Sequence, residues 1–283
     1  MEQTNLKNNP IGIYEKAIPN HFSWEEKIIV AKKAGYDYIE ISVDESDERL
    51  NRLNWTNETI TTLNHLLEKH DFKIRSMCLS GHRRFPLGSH DINIRERAIQ
   101  IVDQAFSLAQ RLNITNIQLA GYDVYYEPSD ETTVSHFIKG LMYIAKTAEK
   151  YNIMASIEIM DTPFIGTIIK GLHYINLIQS PYLKLYPDLG NLTRFSDNPY
   201  QELEIGKPHM VAIHLKDTKP NVFKCVPFGE GTVDFNTFFR KLTHLNYQGP
   251  FVIEMWADQT LEEDQLSVIN RLIDAKKWLY ERM

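Results

Sequence analysis

Short apolar runs alternate with longer amphipathic stretches along the whole chain, eight times over. The runs at Ile11–Tyr14, Tyr38–Val43, Ile74–Leu79, Asn116–Ala120, Met154–Ile159, Leu183–Pro187, Met210–Leu215 and Phe251–Met255 have the length and apolar content of strands. Between them the spacing predicts helices near Ser23–Ala34, Asn57–Lys69, Asp91–Leu112, Glu131–Tyr151, Ile168–Ile178, a shorter stretch from Tyr200, then Phe235–Leu245 and Glu262–Glu281. In the third helix Ile94, Ala98, Ile101, Ala105 and Leu108 recur at helical spacing. Ser23 is an N-cap candidate and Gly35 a helix exit. Strands alternating with helices imply a parallel sheet, and eight such units in 283 residues imply closure into a (β/α)8 barrel, a single domain over 1–283. An open doubly wound sheet is the competing fold, but it usually has fewer units, and no Gly-rich dinucleotide loop follows the first strand, which runs on as GIYEKAIP.

Four side chains of metal-ligating type end four consecutive strands: Glu158 in ASIEIMD, Asp188 in LKLYPDLGN, His214 in VAIHLKD and Glu254 in FVIEMW. The gaps of 30, 26 and 40 residues are each about one strand, one helix and two loops. A charged residue after an apolar run is often only the point where a strand leaves the core. Four together are different. The carboxyl ends of barrel strands converge on one mouth, where three carboxylates would repel one another unless a cation neutralised them. Oxygen donors with one imidazole suit one divalent ion of the Mn²⁺, Mg²⁺, Co²⁺ or Zn²⁺ kind.

Composition narrows the partners. Hydrophobic residues at 43% and charged residues at 24% are ordinary for a globular protein. A net charge of −6 argues against a nucleic-acid ligand, no apolar stretch is long enough for a bilayer, and the N-terminal MEQTNLKNNP has no secretory apolar core. Cys78 and Cys225 show no pairing or zinc-type spacing, so two free thiols in a cytoplasmic protein are expected.

The order Glu, Asp, His, Glu resembles the ligand order of the xylose-isomerase-like sugar phosphate isomerases and epimerases. Further stretches are similar to the bacterial L-ribulose-5-phosphate 3-epimerases, also called L-xylulose-5-phosphate 3-epimerases, of L-ascorbate utilisation. These are GIYEKA (12–17), MCLSGHRRFPLGS (77–89), QLAGYDVYY (118–126), EIMDTP (158–163), LYPDLGN (185–191), HLKDTKP (214–220), VPFGEGTVDF (226–235) and IEMW (253–256). The resemblance implies metal-dependent epimerisation at C3 of a ketopentose 5-phosphate. A cation held by the C2 oxygen and the C3 hydroxyl would polarise the carbonyl and stabilise a cis-enediolate. It implies Glu158 and Glu254 as acid and base on opposite faces, each also a ligand. An aldose–ketose isomerase, a lyase or dehydratase, and a non-catalytic sugar-phosphate binding protein compete with this reading. Retention of both glutamates argues against the last.

A phosphorylated substrate needs donors at the mouth. Lys16, Arg83, Arg84, Lys216 and Lys219 supply charge, Ser89 is placed to cap the long third helix, and His82 and Asn191 to meet the sugar. Taken singly, each basic residue is better read as a solvated surface charge. Glu40 and Gln118 fall near strand ends and line the pocket, though Glu40 reads equally as paired with a buried cation or as lying lower in the barrel; Trp256, Phe85 and Tyr122 offer an apolar wall. Many epimerases of free sugars carry histidine where this chain has Asn191, which favours a different, phosphorylated substrate. The trinuclear zinc set of apurinic-site endonucleases lacks that histidine and an Asp-x-His pair here. Assembly as a homodimer is expected by analogy.

Overall fold

Period-two alternation sorts each strand into an outward apolar face and an inward face rich in polar groups. In the computed structural model, which describes residues 4–283, the strands are β1 (Ile11–Tyr14), β2 (Tyr38–Val43), β3 (Ile74–Leu79), β4 (Asn116–Leu119), β5 (Met154–Glu158), β6 (Leu183–Tyr186), β7 (Ile213–Leu215), a hairpin of β8 (Asp217–Lys219) and β9 (Val222–Val226), and β10 (Phe251–Ile253). Ile39, Ile41 and Val43 of β2 face the core between barrel and helices. Tyr38, Glu40 and Ser42 alternate with them and are buried too. Ser76, Gln118, Ser156 and Glu158 are likewise buried polar residues of β3, β4 and β5. Parallel strands covered on both faces are usually almost wholly apolar, so this polar interior already marks a working site.

All eight barrel strands pair in parallel, in the order β6-β5-β4-β3-β2-β1-β10-β7. Isolated parallel bridges, Leu185 to Met210 and Asp188 to His214, bring β6 back to β7 and close the ring. The expected (β/α)8 barrel is therefore the observed fold. An inner cluster of Tyr14, Tyr38, Cys78, Tyr186, Ala212 and Val252 fills the barrel. Gly12 is required there, because a Cβ at this position would lie 2.3 Å from the Tyr38 ring.

The helices are α1 (Trp24–Lys33), α2 (Asp47–Leu50), α3 (Asn57–Lys69), α4 (Ile92–Arg111), α5 (Glu131–Tyr151), α6 (Ile168–Ile178), α7 (Leu189–Phe195), α8 (Pro199–Gly206), α9 (Phe235–His244) and α10 (Gln265–Tyr280). Ser23 forms the expected N-cap, in a capping box with Glu26. The cap expected of Ser89 is corrected. Asp91 caps α4 by accepting from the Asn93 amide at 2.8 Å, and Ser89, two residues earlier, accepts from the Asp91 amide at 3.1 Å. Three features read as loop are ordered elements: the turn α2, the helix α7 directly after β6, and the β8–β9 hairpin. The hairpin turns at Asn221, which adopts the left-handed conformation. No described helix is long and apolar enough to cross a membrane. The polar N-terminal stretch begins in residues 1–3, outside the described residues.

Candidate active site and metal centre

Four consecutive strands around the ring, β5, β6, β7 and β10, each deliver one ligand-type side chain to the mouth. Ligand atoms of Glu158, Asp188, His214 and Glu254 all lie within 4.8 Å of one another, and all four residues are buried. His214 Nδ1 stands 3.1 Å from Glu158 Oε1, 3.5 Å from Glu254 Oε2 and 3.9 Å from Asp188 Oδ2. Local structure aims each group. Asp188 is the N-cap of α7: its Oδ1 accepts the Asn191 amide at 2.8 Å, which leaves Oδ2 turned to the cluster. Glu158 Oε2 accepts from the Gln118 amide. Lys216, two residues beyond His214, places Nζ 2.9 Å from Asp188 Oδ2 and 3.1 Å from Glu254 Oε2.

The donor set is short of positive charge, and that is the test of whether a cation fits. Glu40 joins the three carboxylates in the barrel interior, so four acidic groups face one lysine and one histidine, all buried. Asp188 Oδ2 and Glu254 Oε2 make no well-formed hydrogen bond despite the nearby ammonium. Burial pushes the Glu158 and Asp188 carboxyls above their ordinary range, Asp188 strongly, with Lys216 only partly opposing. For Glu254 burial also pushes upward, but Lys216 and His214 outweigh it and bring the carboxyl to about 2. Burial would depress the His214 imidazolium, yet the surrounding glutamates, Glu40 first, raise it well above its usual value. A divalent ion bound among these four side chains would supply the missing charge and ease the repulsion between the carboxylates. The residues therefore fit such an ion.

Beside the cluster lies a cavity of about 720 Å³ bounded by Lys216, Glu254, Trp256, Cys225, Phe228 and Trp278, ample for a small sugar phosphate. The hairpin forms one wall. Asp217 holds its base by accepting from the amides of Gly229 at 2.9 Å, Gly231 at 3.0 Å and Val233 at 3.3 Å. A Cβ on Gly231 would sit 1.9 Å from Asp217 Oδ1, which explains the second glycine of GEG.

The remaining sequence candidates scatter. Arg83 is largely buried, stacks on Tyr125 at 4.6 Å and lies 3.5 Å from Glu45, with its Nε unpaired. Arg84 turns outward to Asp47 at 2.6 Å. Lys16 pairs with Asp44. Lys219 is at the exposed hairpin edge, 3.4 Å from Glu230. The buried His82 directs Nε2 to the Ala98 carbonyl at 3.2 Å, and burial pulls its imidazolium down to about 4. Asn191 donates to the Ile159 carbonyl at 2.9 Å. Ser89 is buried at the entry to α4. Of the apolar wall, Trp256 stands 6.1 Å from the Tyr14 ring and Lys216 lies over it, Tyr122 is buried, and Phe85 packs against the main core with Arg84 over its ring. Sequence reasoning missed Lys224. Nothing in VFKCV distinguishes it, and only the hairpin fold brings this exposed lysine within range of Arg83, Asp161, Glu254 and Lys16.

The xylose isomerase-like TIM barrel family model matches residues 28–281. The L-ribulose-5-phosphate 3-epimerase UlaE of Shigella boydii is 44% identical over 277 residues, covering 98% of this chain and 96% of the relative. The chain belongs to the L-ribulose-5-phosphate 3-epimerases, a family of isomerases. The enzyme of the same name from Escherichia coli matches to the same extent. Solved structures at lower identity share the barrel. D-allulose 3-epimerase from Methylomonas sp., in complex with D-allulose, is 18% identical, with a TM-score of 0.78 over 97% of each chain. An L-ribulose 3-epimerase is 15% identical, with a TM-score of 0.73 over 97% of this chain and 95% of that one. The epimerase fold and a possible four-residue metal centre thus coincide in this isomerase.

Proposed function

We propose that this isomerase is a divalent-metal-dependent 3-epimerase that interconverts L-xylulose 5-phosphate and L-ribulose 5-phosphate. The observation that carries the reading is the placement of Glu158 and Glu254 on the two outer members of four consecutive strands, flanking Asp188 and His214 in one buried cluster. A ketose lying across that cluster would present its C3 between the two glutamates. One carboxylate takes the C3 proton, and the other, protonated, returns one to the opposite face; the starting epimer decides which acts as base. The ion, held by Glu158, Asp188, His214 and Glu254, would supply Lewis-acid stabilisation of the enediolate charge. Zn²⁺, Mn²⁺, Mg²⁺ and Co²⁺ all suit this donor set. Lys216, with Nζ beside Asp188 and Glu254, adds a fixed positive charge.

For the phosphate we propose Arg83 with Lys16 and Lys224. Burial, with Arg83 close by, pulls the Lys224 ammonium below its ordinary value. An anion between two such cations relieves both, and the Arg83 guanidinium, whose buried Nε has no partner, offers a planar fork to it. The absence of histidine at Asn191 supports a phosphorylated substrate over a free sugar. We further infer a homodimer, by analogy with barrels of this class, and a cytoplasmic location, in keeping with the two free cysteines.

Proton NMR of L-xylulose 5-phosphate in D₂O tests the reading, with metal-loaded and chelator-treated protein. Deuterium at C3 and accumulation of L-ribulose 5-phosphate, only with metal, is the expected result. Exchange at C1 with an aldose product would assign an aldose–ketose isomerase, and no exchange despite bound metal would refute the substrate.

A further inference from the structure

A carboxylate in the barrel interior touches the imidazole of the cluster from behind. Glu40 belongs to β2, on the far side of the ring from β7, yet its Oε1 lies 2.7 Å from His214 Nε2. Neither side chain has any exposed surface. The second oxygen of Glu40 is also fully engaged, accepting from Ser76 Oγ at 2.7 Å and from Tyr186 Oη at 3.0 Å. A buried carboxylate is costly unless paired, and two hydroxyls already donate to this one, leaving Oε1 to the imidazole. We propose that Glu40 is a positioning residue for the metal centre: it fixes His214 as the tautomer that carries its proton on Nε2 and offers the Nδ1 lone pair to the ion.

The inference rests on the metal-centre reading above and adds to it a residue that does not itself join the cluster. Oε2 takes both hydroxyl hydrogens, so the 2.7 Å contact at Oε1 is completed by a hydrogen on the imidazole nitrogen that faces it. That nitrogen is Nε2. The other, Nδ1, is the one that faces Glu158, Glu254 and Asp188. Tyr186 does double duty. Its hydroxyl donates to Glu40, and its ring packs edge-on to the imidazole with centroids 4.6 Å apart, fixing the ring plane. In a dry interior a hydrogen bond of this kind is stronger than in water, and it raises the donor strength of the opposite nitrogen. Glu40 reaches the mouth only through the imidazole, so it takes no part in proton transfer to substrate.

The test uses full-length protein stripped of metal with chelator, in three forms: wild type, Glu40→Gln and Glu40→Leu. Zinc affinity is read by competition with a chromophoric chelator. The His214 tautomer is read from ¹⁵N-histidine NMR of the zinc-loaded protein, in which the ion displaces the second ring proton, with His214→Gln to assign the resonance. Glu40→Leu should weaken Zn²⁺ binding by about 10–100-fold and shift His214 to a mixture of tautomers. Glu40→Gln keeps an accepting oxygen and the volume, so it should hold the Nε2–H tautomer and lose less affinity. It decides the matter if the leucine variant does not fold. Both variants binding zinc within twofold of wild type, or wild type with its proton on Nδ1, would overturn the positioning role alone. A wild type that takes up no zinc, manganese, magnesium or cobalt would overturn the metal centre itself, and this inference with it.

Discussion

Replacing one glutamate of the pair at a time should split epimerisation into two half-reactions. Glu158→Gln keeps the side-chain volume and one carbonyl oxygen among the cluster atoms, but it can no longer take a proton. A positioned acid or base contributes about 10²–10⁴-fold, so inversion should slow by that factor, about 3–5.5 kcal/mol of barrier. Because Glu254 comes from β10 and Glu158 from β5, with two ligand strands between them, the loss should be one-sided. In Glu158→Gln, Glu254 still removes the C3 proton from the epimer that presents it to that face. No acid stands opposite, so the proton, exchanged with solvent, returns to the face it left. Each epimer is therefore incubated separately in D₂O and C3 deuteration is followed by proton NMR. Glu158→Gln should wash deuterium into one epimer without converting it, and Glu254→Gln into the other. Both variants exchanging the same epimer, or either inverting at near wild-type rate, would refute the two-glutamate assignment.

Chelation should abolish turnover and lower the melting temperature. An ion at 100 times its Kd contributes about 2.7 kcal/mol, which for a chain of this size is about 4–5 °C by calorimetry; an unchanged melt would argue against a bound ion. Arg83→Ala and Lys224→Ala should each raise KM for the phosphorylated ketopentose about tenfold or more, leaving any slow turnover of the unphosphorylated sugar unaltered in steady-state assays. A fourth prediction concerns the buried Glu15, which holds Lys27 and Arg52 at 2.8 Å and Arg49 at 3.1 Å. Glu15→Gln leaves three buried cations short of their counter-charge and should cost about 3–5 kcal/mol in urea unfolding. Burial pushes the Glu15 carboxyl up, but Arg52 and Lys27 outweigh it and hold the carboxyl far below its ordinary range. Its contribution is thus complete above the unfolded value of 4.5 and lost as pH falls below it. Wild type should lose stability in acid more steeply than the variant.

What the sequence disclosed and what it withheld follow one physical division. The barrel was legible because strand and helix periods are local, and the four ligand-type residues were legible because each ends an apolar run whose register fixes where it emerges. Asp188 is the clearest case, since PDLGN carries both the ligand and the cap that aims it. The β8–β9 hairpin was not legible: VFKCV is half exposed, so it has neither the apolar face of a core strand nor a helical stripe. Its position depends on Asp217 gathering amides from residues 229–233. Lys216 reads as a surface cation after a strand, yet it is buried because the carboxylates around it offset the cost of desolvating the ammonium. The pairing of Glu40 with His214 joins residues 174 apart. In β2, the run YIEISV looks like an interrupted apolar strand. The interruption has a cause only once the ring is closed and β2 faces β7 across it. A carboxylate inside a barrel strand is then a signal of an opposing donor, and in this chain the donor is the histidine that ends VAIH.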